Sequence, residues 1–304
     1  MTSETGNLRQ ILDSDRKVVF VEFTPPPTAD VGVVRQAAAT LRGHADAVSV
    51  VDNRHGIAMS AIATASILRA EGVEPIVHMT TRDRNRIALL SDVLGAQALG
   101  LSSLLCTSGD HQTLGPDKAA RNVYDLDTVQ FLATLDRLRR DGVLPGDGRQ
   151  VEPRPMCLGA VASPQADPRE LQAMRLAKKV EAGADFFITH PVFDAGEFAK
   201  WLEALAPWGL PGKAAMIVGV LAPPTAAKAR EMRARMPGAE LPDPVLARLQ
   251  GVGEERQKDE AIAIAVEIIG RLKTNNGVKG FCLMTDGDYD TAVKIIQQTG
   301  LMRR

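Results

Sequence analysis

Val18-Val19-Phe20-Val21-Glu22-Phe23-Thr24-Pro25-Pro26-Pro27 is the stretch on which the reading of the chain turns. Its apolar, largely β-branched start reads as a buried strand. The three prolines end the hydrogen-bonded ladder, because none of them has an N–H to donate. Glu22 therefore stands where a strand stops and a loop begins. A carboxylate there is costly unless it is partnered or used. Taken alone, the stretch allows either a strand end satisfied by nearby backbone or a working acid.

Outward from this stretch, apolar runs alternate with helical patterns through the whole chain. Further strands read at 45–51, 73–79, 103–107, 156–162, 185–190, 215–221 and 278–284. Helices are expected between them. Thr28 or Asp30 can cap the first, and another runs from about Asp125 with Val129, Leu132, Leu135 and Leu138 inward. Asp167-Pro168-Arg169-Glu170 reads as a cap, an N1 proline and an N3 glutamate; Asp194 and Glu197 repeat the cap-plus-N3 pattern. Eight strand–helix units point to an α/β fold, a (β/α)₈ TIM barrel. A doubly wound sheet would carry a glycine-rich phosphate turn after its first strand, and Glu22 with three prolines occupies that place. Residues 1–304 read as one barrel domain, with 1–16 as an N-terminal arm and 240–273 as an extra helical insertion before the last strand.

Composition narrows the partners. At 304 residues and 45% hydrophobic content a sizeable core is available, and a net charge of -1 gives no signal for nucleic acid or an acidic membrane surface. No apolar run approaches the ~20 residues of a membrane span. Met1-Thr2-Ser3-Glu4 lacks the basic and apolar regions of a secretory signal, and Cys106, Cys157 and Cys282 are far apart in strand-like runs. A cytoplasmic location and buried, unreactive cysteines are expected.

In a barrel of this kind the C-terminal strand ends form the active face. In order they carry Glu22, then Asp52 with Asn53 and Arg54, then His78, then Ser108-Gly109-Asp110, Ser163, His190, the 222–224 turn, and Thr285 with Asp286. Two carboxylates from different strands can divide acid and base work. Gly109 would let a flat ligand approach the backbone. Arg82, Arg84 and Arg86 form either a solvated helix start or a clamp for phosphate or a polycarboxylate tail. A metal site from His78, His190 and Asp110 is the weaker alternative, as no ligand pair has helical i, i+4 spacing.

Several of these segments together resemble methylenetetrahydrofolate reductase. They are the Val-Glu-Phe-x-Pro-Pro start, Val77-His78-Met79-Thr80, Ser108-Gly109-Asp110, and the Lys178-to-Thr189 run followed by Phe193-Asp194. The resemblance covers about residues 17–300 and is to a short bacterial form without the regulatory domain of the animal enzymes. It implies a barrel holding FAD, often in a homo-oligomer. It further implies passage of a hydride from NAD(P)H through the flavin to 5,10-methylenetetrahydrofolate, giving 5-methyltetrahydrofolate for one-carbon metabolism and methionine biosynthesis.

By position, the resemblance makes Glu22 the catalytic acid and Asp110 the carboxylate at the pterin and near the flavin. His78, Gly109 and Lys179 match flavin-binding positions. Asp52, Ser108, Ser163, Arg175 and Lys178 fall where relatives touch flavin with other side chains. His190 replaces a substrate-binding glutamine, so its proton state would make binding pH-dependent. Lys228 stands at a folate-contacting glutamine and Met232 at a stacking aromatic. An arginine of the family is Ser108 here, and Gly159 and Ser163 stand for a tyrosine and a histidine. These departures motivate an alternative: a folate- or pterin-binding subunit of a methyl-transfer or multi-subunit reductase complex, with weak flavin or none.

Overall fold

The computed structural model describes residues 7–54, 56–115, 117–146, 148–235 and 241–301. Readings that fall on residues 1–6, Met236 and residue 240 lie outside the described residues. The strands are β1 (Val18–Phe23), β2 (Ala47–Val50), β3 (Pro75–Thr80), β4 (Ser103–Thr107), β5 (Cys157–Ala162), β6 (Phe186–Pro191), β7 (Ala215–Leu221) and β8 (Gly280–Met284). The helices are α1 (Asn7–Asp13), α2 (Val31–Leu41), α3 (Ala61–Ala70), α4 (Arg86–Ala98), α5 (Thr128–Asp141), α6 (Arg169–Glu181), α7 (Ala195–Ala204), α8 (Ala226–Arg235), α9 (Asp243–Gln250), α10 (Gln257–Leu272) and α11 (Tyr289–Thr299).

The eight strands run parallel in chain order, and β8 pairs back onto β1, with Val18 opposite Gly280 and Phe20 opposite Cys282. The sheet is a closed (β/α)₈ barrel. Its outer faces pack on the helices through residues such as Val19, Val21, Leu41, Leu68, Phe131 and Ile269. Its inner face forms a second apolar cluster that includes Val18, Phe20, Ile76, Leu105, Phe186, Ile188 and Cys282. Leu8, Ile11 and Leu12 of α1 belong to this inner cluster and close the N-terminal end. Gly159 is required by this packing, since a Cβ there would lie 2.2 Å from the Phe186 ring.

Strand alternation now fixes what faces inward. Glu22 follows Phe20 by two residues, His78 follows Ile76, and His190 follows Ile188, so each continues an inward-facing row one layer higher. The interior changes from apolar at the floor to polar at the mouth.

Three local readings need correction. The helix expected from about Asp125 starts at Thr128: Asp127 and Gln130 form the capping box, while Asp125 is held by the backbone N–H and guanidinium of Arg86. Before α6 the cap residue is Pro168, which makes no side-chain cap bond, so Asp167 is not the cap. Asp194 does cap α7, accepting from the N–H groups of Gly196 and Glu197, but the Glu197 side chain turns outward to Lys200 and Arg169.

Candidate active site

The polar layer opens into a cavity of about 780 Å³ at the C-terminal ends of the strands. Its wall brings together Glu22, Asp52, His78, Ser108, Gly109, Asp110, Ser163, Arg175, Lys178, Lys179 and His190. Leu105, Val161, Ile188 and Met284 supply apolar surface between them. Lys228 does not line it. It stands on α8, where its Nζ lies 3.1 Å from Asp286 and 3.2 Å from Glu231.

Glu22 has a partner that its sequence context does not reveal. Arg54, on the loop after β2, donates from one Nη to both carboxylate oxygens at 2.9 Å. The pair is largely sheltered, with side-chain exposures of 14% for Glu22 and 25% for Arg54. Beside it, Ser49 Oγ and His78 Nε2 are 2.6 Å apart. Burial, reinforced by the nearby Arg54 charge, lowers the His78 pKa to about 3. His78 is therefore neutral at physiological pH.

His190 is held neutral in the same way. Burial first, then Arg54, lower its pKa to about 4, with Lys179 acting in the same direction and Asp110 against it. The expectation that its proton state makes binding pH-dependent is corrected in its range, since a neutral His190 would change charge only near pH 4. Its Nδ1 is buried and has no hydrogen-bond partner among the described residues. The group that does titrate near the working range is Lys179. Burial and the Arg175 charge bring its pKa down to about 8, while Cys106 opposes them. Its Nζ donates to the Val161 carbonyl at 2.7 Å.

Other residues of the wall are committed to structure. Asp52 accepts from the Thr80 N–H at 2.9 Å and pairs with Arg84. Burial nevertheless raises its pKa, against Arg84 and the Thr80 bond. Ser108 Oγ lies 2.8 Å from Thr128 Oγ1 on α5. Gly109 has φ +74°, and a Cβ there would meet the Thr80 methyl at 2.5 Å, so the fold itself demands glycine whatever binds beside it.

Of the three arginines, Arg86 is a solvated helix start, exposed as the first residue of α4, whereas Arg82 and Arg84 are sheltered, and each of the three already has acidic partners. Arg84 joins Asp52 to Asp92, and Arg86 holds Asp125. Arg82 is buried and pairs with Asp83 through two nitrogens, at 2.7 and 2.8 Å. It also donates to the carbonyls of Asp110 and Asn53, each at 3.1 Å. It thereby ties the loop carrying Arg54 to the loop carrying Asp110. Met232 packs half-buried against the inner apolar cluster. Among the described residues, no group of three His, Cys, Asp or Glu is placed to hold a metal ion, and no helix is long and apolar enough to cross a membrane.

The walls suit a flat, partly polar ring. Apolar surface alternates with the Lys179 ammonium and an unpartnered imidazole nitrogen, and two cations, Arg175 and Lys178, lie on the exposed face of α6. The volume lies within the range of small-molecule and cofactor sites.

Comparison with known proteins agrees with this layout. A family model described as methylenetetrahydrofolate reductase matches residues 7–300. A Caenorhabditis elegans protein named "Probable methylenetetrahydrofolate reductase (NADPH)" is 27% identical over 253 residues. That match takes in 81% of this chain but only 35% of the relative, so the chain spans about a third of that protein's length. Among solved structures, an uncharacterized Clostridium thermocellum protein that binds two copies of 5-methyl-5,6,7,8-tetrahydrofolic acid superposes with a TM-score of 0.68 at 13% identity, covering 97% of this chain and 99% of that one. Riboflavin lyase with modified FMN and riboflavin follows at a TM-score of 0.58 and 10% identity, covering 94% and 90%. At these identities the structures speak for the fold alone.

Proposed function

The chain belongs to the methylenetetrahydrofolate reductase family, and from that premise we propose that it is a flavin-linked oxidoreductase converting 5,10-methylenetetrahydrofolate to 5-methyltetrahydrofolate with NAD(P)H. The observation that carries the reading is Glu22. It stands in the top layer of the barrel interior, on the same cavity as Asp110, His190 and Lys179. In the net reaction the bond from the methylene carbon to N10 breaks, a hydride is added to that carbon, N10 gains a proton, and NAD(P)H is oxidised. When bound, FAD supplies the hydride relay between nicotinamide and folate.

The chain's own residues divide the remaining work. Glu22 delivers the proton as the five-membered ring opens to the iminium. Asp110, at the rim, takes the polar edge of the pterin, and His190, neutral and with Nδ1 unengaged, is a further hydrogen-bonding partner for it. Lys179, His78 and the backbone at Gly109 are assigned to the flavin ring, with Asp52, Ser108 and Ser163 beside it. Arg175 and Lys178 are assigned to its phosphates. Lys228 would reach substrate from outside the cavity wall. The same reading takes 1–304 as one barrel domain with an arm at 1–16 and an insertion at 240–273, working in the cytoplasm as a homo-oligomer.

The absorption spectrum of the purified protein tests the proposal. A flavin spectrum bleached by NAD(P)H and restored by the methylene substrate supports it. A colourless protein that neither takes up added FAD nor turns over overturns it. One observation favours a second reading, a pterin-binding subunit that takes its electrons from a partner: Ser108, where the family has an arginine, is engaged with Thr128 at 2.8 Å. Folate binding without flavin, or turnover with artificial donors but not NAD(P)H, selects that reading.

A further inference from the structure

Arg54 is a half-buried cation on the cavity wall to which none of the roles above is assigned. Its place is built rather than incidental. Asn53, immediately before it, has φ 47°, a left-handed turn that few side chains adopt. The Asn53 carbonyl is held by Arg82 at 3.1 Å, and Arg82 is itself buried and fixed by Asp83. The turn brings Arg54 across to β1, where one nitrogen bridges both Glu22 oxygens at 2.9 Å. This end-on contact occupies one side of the carboxylate. Each oxygen keeps a lone-pair direction that Arg54 does not use, and a carboxyl group has about four such directions in all.

We propose that Arg54 is the positioning residue of the proton donor: it fixes the Glu22 carboxyl group so that its remaining oxygen edge faces the folate N10 across the cavity. The inference rests on the reading of Glu22 as that donor. A guanidinium suits the task, because its donors are rigid and it keeps its charge at any working pH. Burial is the larger cause of the neutrality of His78 and His190, and the Arg54 charge acts with it on both. Other charged groups facing the histidines are Lys179 from α6, which acts with Arg54 on His190, and Asp110 from the β4–α5 loop, which acts against it.

The test uses Arg54→Gln, Arg54→Lys, Glu22→Gln and the double variant in the full chain. Arg54→Gln is expected to lower kcat for folate reduction about tenfold, less than the ~10²-fold attached to a 1 Å misplacement of a reacting group. KM for folate and the rate of reduction by NAD(P)H stay within twofold. Arg54→Lys restores part of kcat, and adding Arg54→Gln to Glu22→Gln costs nothing further. Imidazole NMR of the ligand-free Arg54→Gln protein should show the His190 midpoint moved up from about 4. Equal loss in both half-reactions, an additive double variant, or an unmoved His190 midpoint overturns the inference while leaving the Glu22 reading intact. A Glu22→Gln variant with undiminished folate reduction overturns the proton-donor reading and the inference together. If Arg54→Gln unfolds, Arg54→Lys carries the test through its kcat, since the ammonium keeps the charge on His190: a loss confined to folate reduction supports the inference, and an unchanged kcat or an equal loss in both half-reactions overturns it.

Discussion

The two ends of the barrel are both rich in charge, yet they use it differently. At the floor, Asp46 takes two bonds from Arg16 and one from the Val19 N–H. Lys17 donates to the carbonyls of Asn275 and Val278, and Lys279 donates to Ser14. Arg139 joins Asp136 to Asp185 and caps the carbonyls of Met156 and Gly183. These charges spend their bonding capacity on loop ends, around a shallow second cavity of about 550 Å³ lined in part by Arg9, Lys17, Asp185 and Lys279. At the mouth, Glu22 keeps an edge that Arg54 does not use, and a His190 nitrogen has no partner among the described residues. Unspent polar capacity in a half-buried setting costs stability, and such strain collects at functional sites.

The sharpest way to break this contrast is Glu22→Gln. Amide for acid keeps the shape and one acceptor but removes the donated proton. Folate reduction should fall by ~10²-fold or more, the usual scale of a positioned general acid, while flavin reduction by NAD(P)H and thermal unfolding change little. Equal damage to both half-reactions, measured by stopped flow, would make the mouth as structural as the floor.

The converse variant is Asp46→Ala. It strands the buried Val19 N–H and leaves Arg16 unpaired, although Arg16 is about a third exposed, which softens the loss. Removing one member of such a buried set costs roughly 2–3 kcal/mol. Denaturant unfolding should register that loss while turnover per folded molecule holds. A variant with full stability and impaired turnover would mean that the floor is not merely a foundation.

How much of this was legible beforehand follows from where each signal lies. The barrel could be read because each strand carries its own apolar run between turn residues, and Asp30, Asp194 and Asp288 mark helix starts locally. The inward turn of Glu22, His78 and His190 follows from period-two alternation within one strand. The Arg54–Glu22 pair could not be read, because it joins residues 22 and 54 across two strand ends and depends on a left-handed turn at Asn53. The arginines at 82, 84 and 86 looked available for the same reason: their acids lie at 52, 83, 92 and 125, and only the closed barrel brings the distant ones near. Lys228 was counted with the substrate contacts, and its local acid, Glu231, lies one helical turn away; the partner that turns it toward the rim, Asp286, comes from the loop after β8.

Lys179 offers a finer cut through the comparison, by pH. Its ammonium, disfavoured by burial and Arg175, loses its proton as pH passes about 8 in the folded protein, whereas the unfolded chain holds it to the ordinary value of 10.5. Between these values the unfolded state binds more protons, so this group makes stability rise with pH over that window. Binding runs the other way: an anionic ligand held by the ammonium loses up to about tenfold in affinity per pH unit above 8, because the charged fraction falls at that rate. Lys179→Met should remove both slopes. Titration with FAD between pH 7 and 9 reads the second directly, and a slope that survives the substitution would assign the titration to another group.

The smallest effect is expected at Lys228, and it separates position from contact. The Nζ stands outside the cavity wall and already has two carboxylates, at Asp286 and Glu231. Exposed pairs of this kind contribute at most about 1 kcal/mol, so Lys228→Ala should leave stability nearly unchanged. If the side chain reaches folate only by leaving those partners, much of what it gains there is lost in breaking the pairs. KM for the methylene substrate should then rise by no more than about fivefold, the equivalent of 1 kcal/mol, with kcat unaffected. A rise beyond tenfold would mean that substrate draws α8 over the mouth and that the cavity wall includes Lys228 during turnover. Asp286→Asn discriminates between the two, since freeing the ammonium from its rim partner should lower KM if Lys228 contacts substrate and leave it unmoved if it does not.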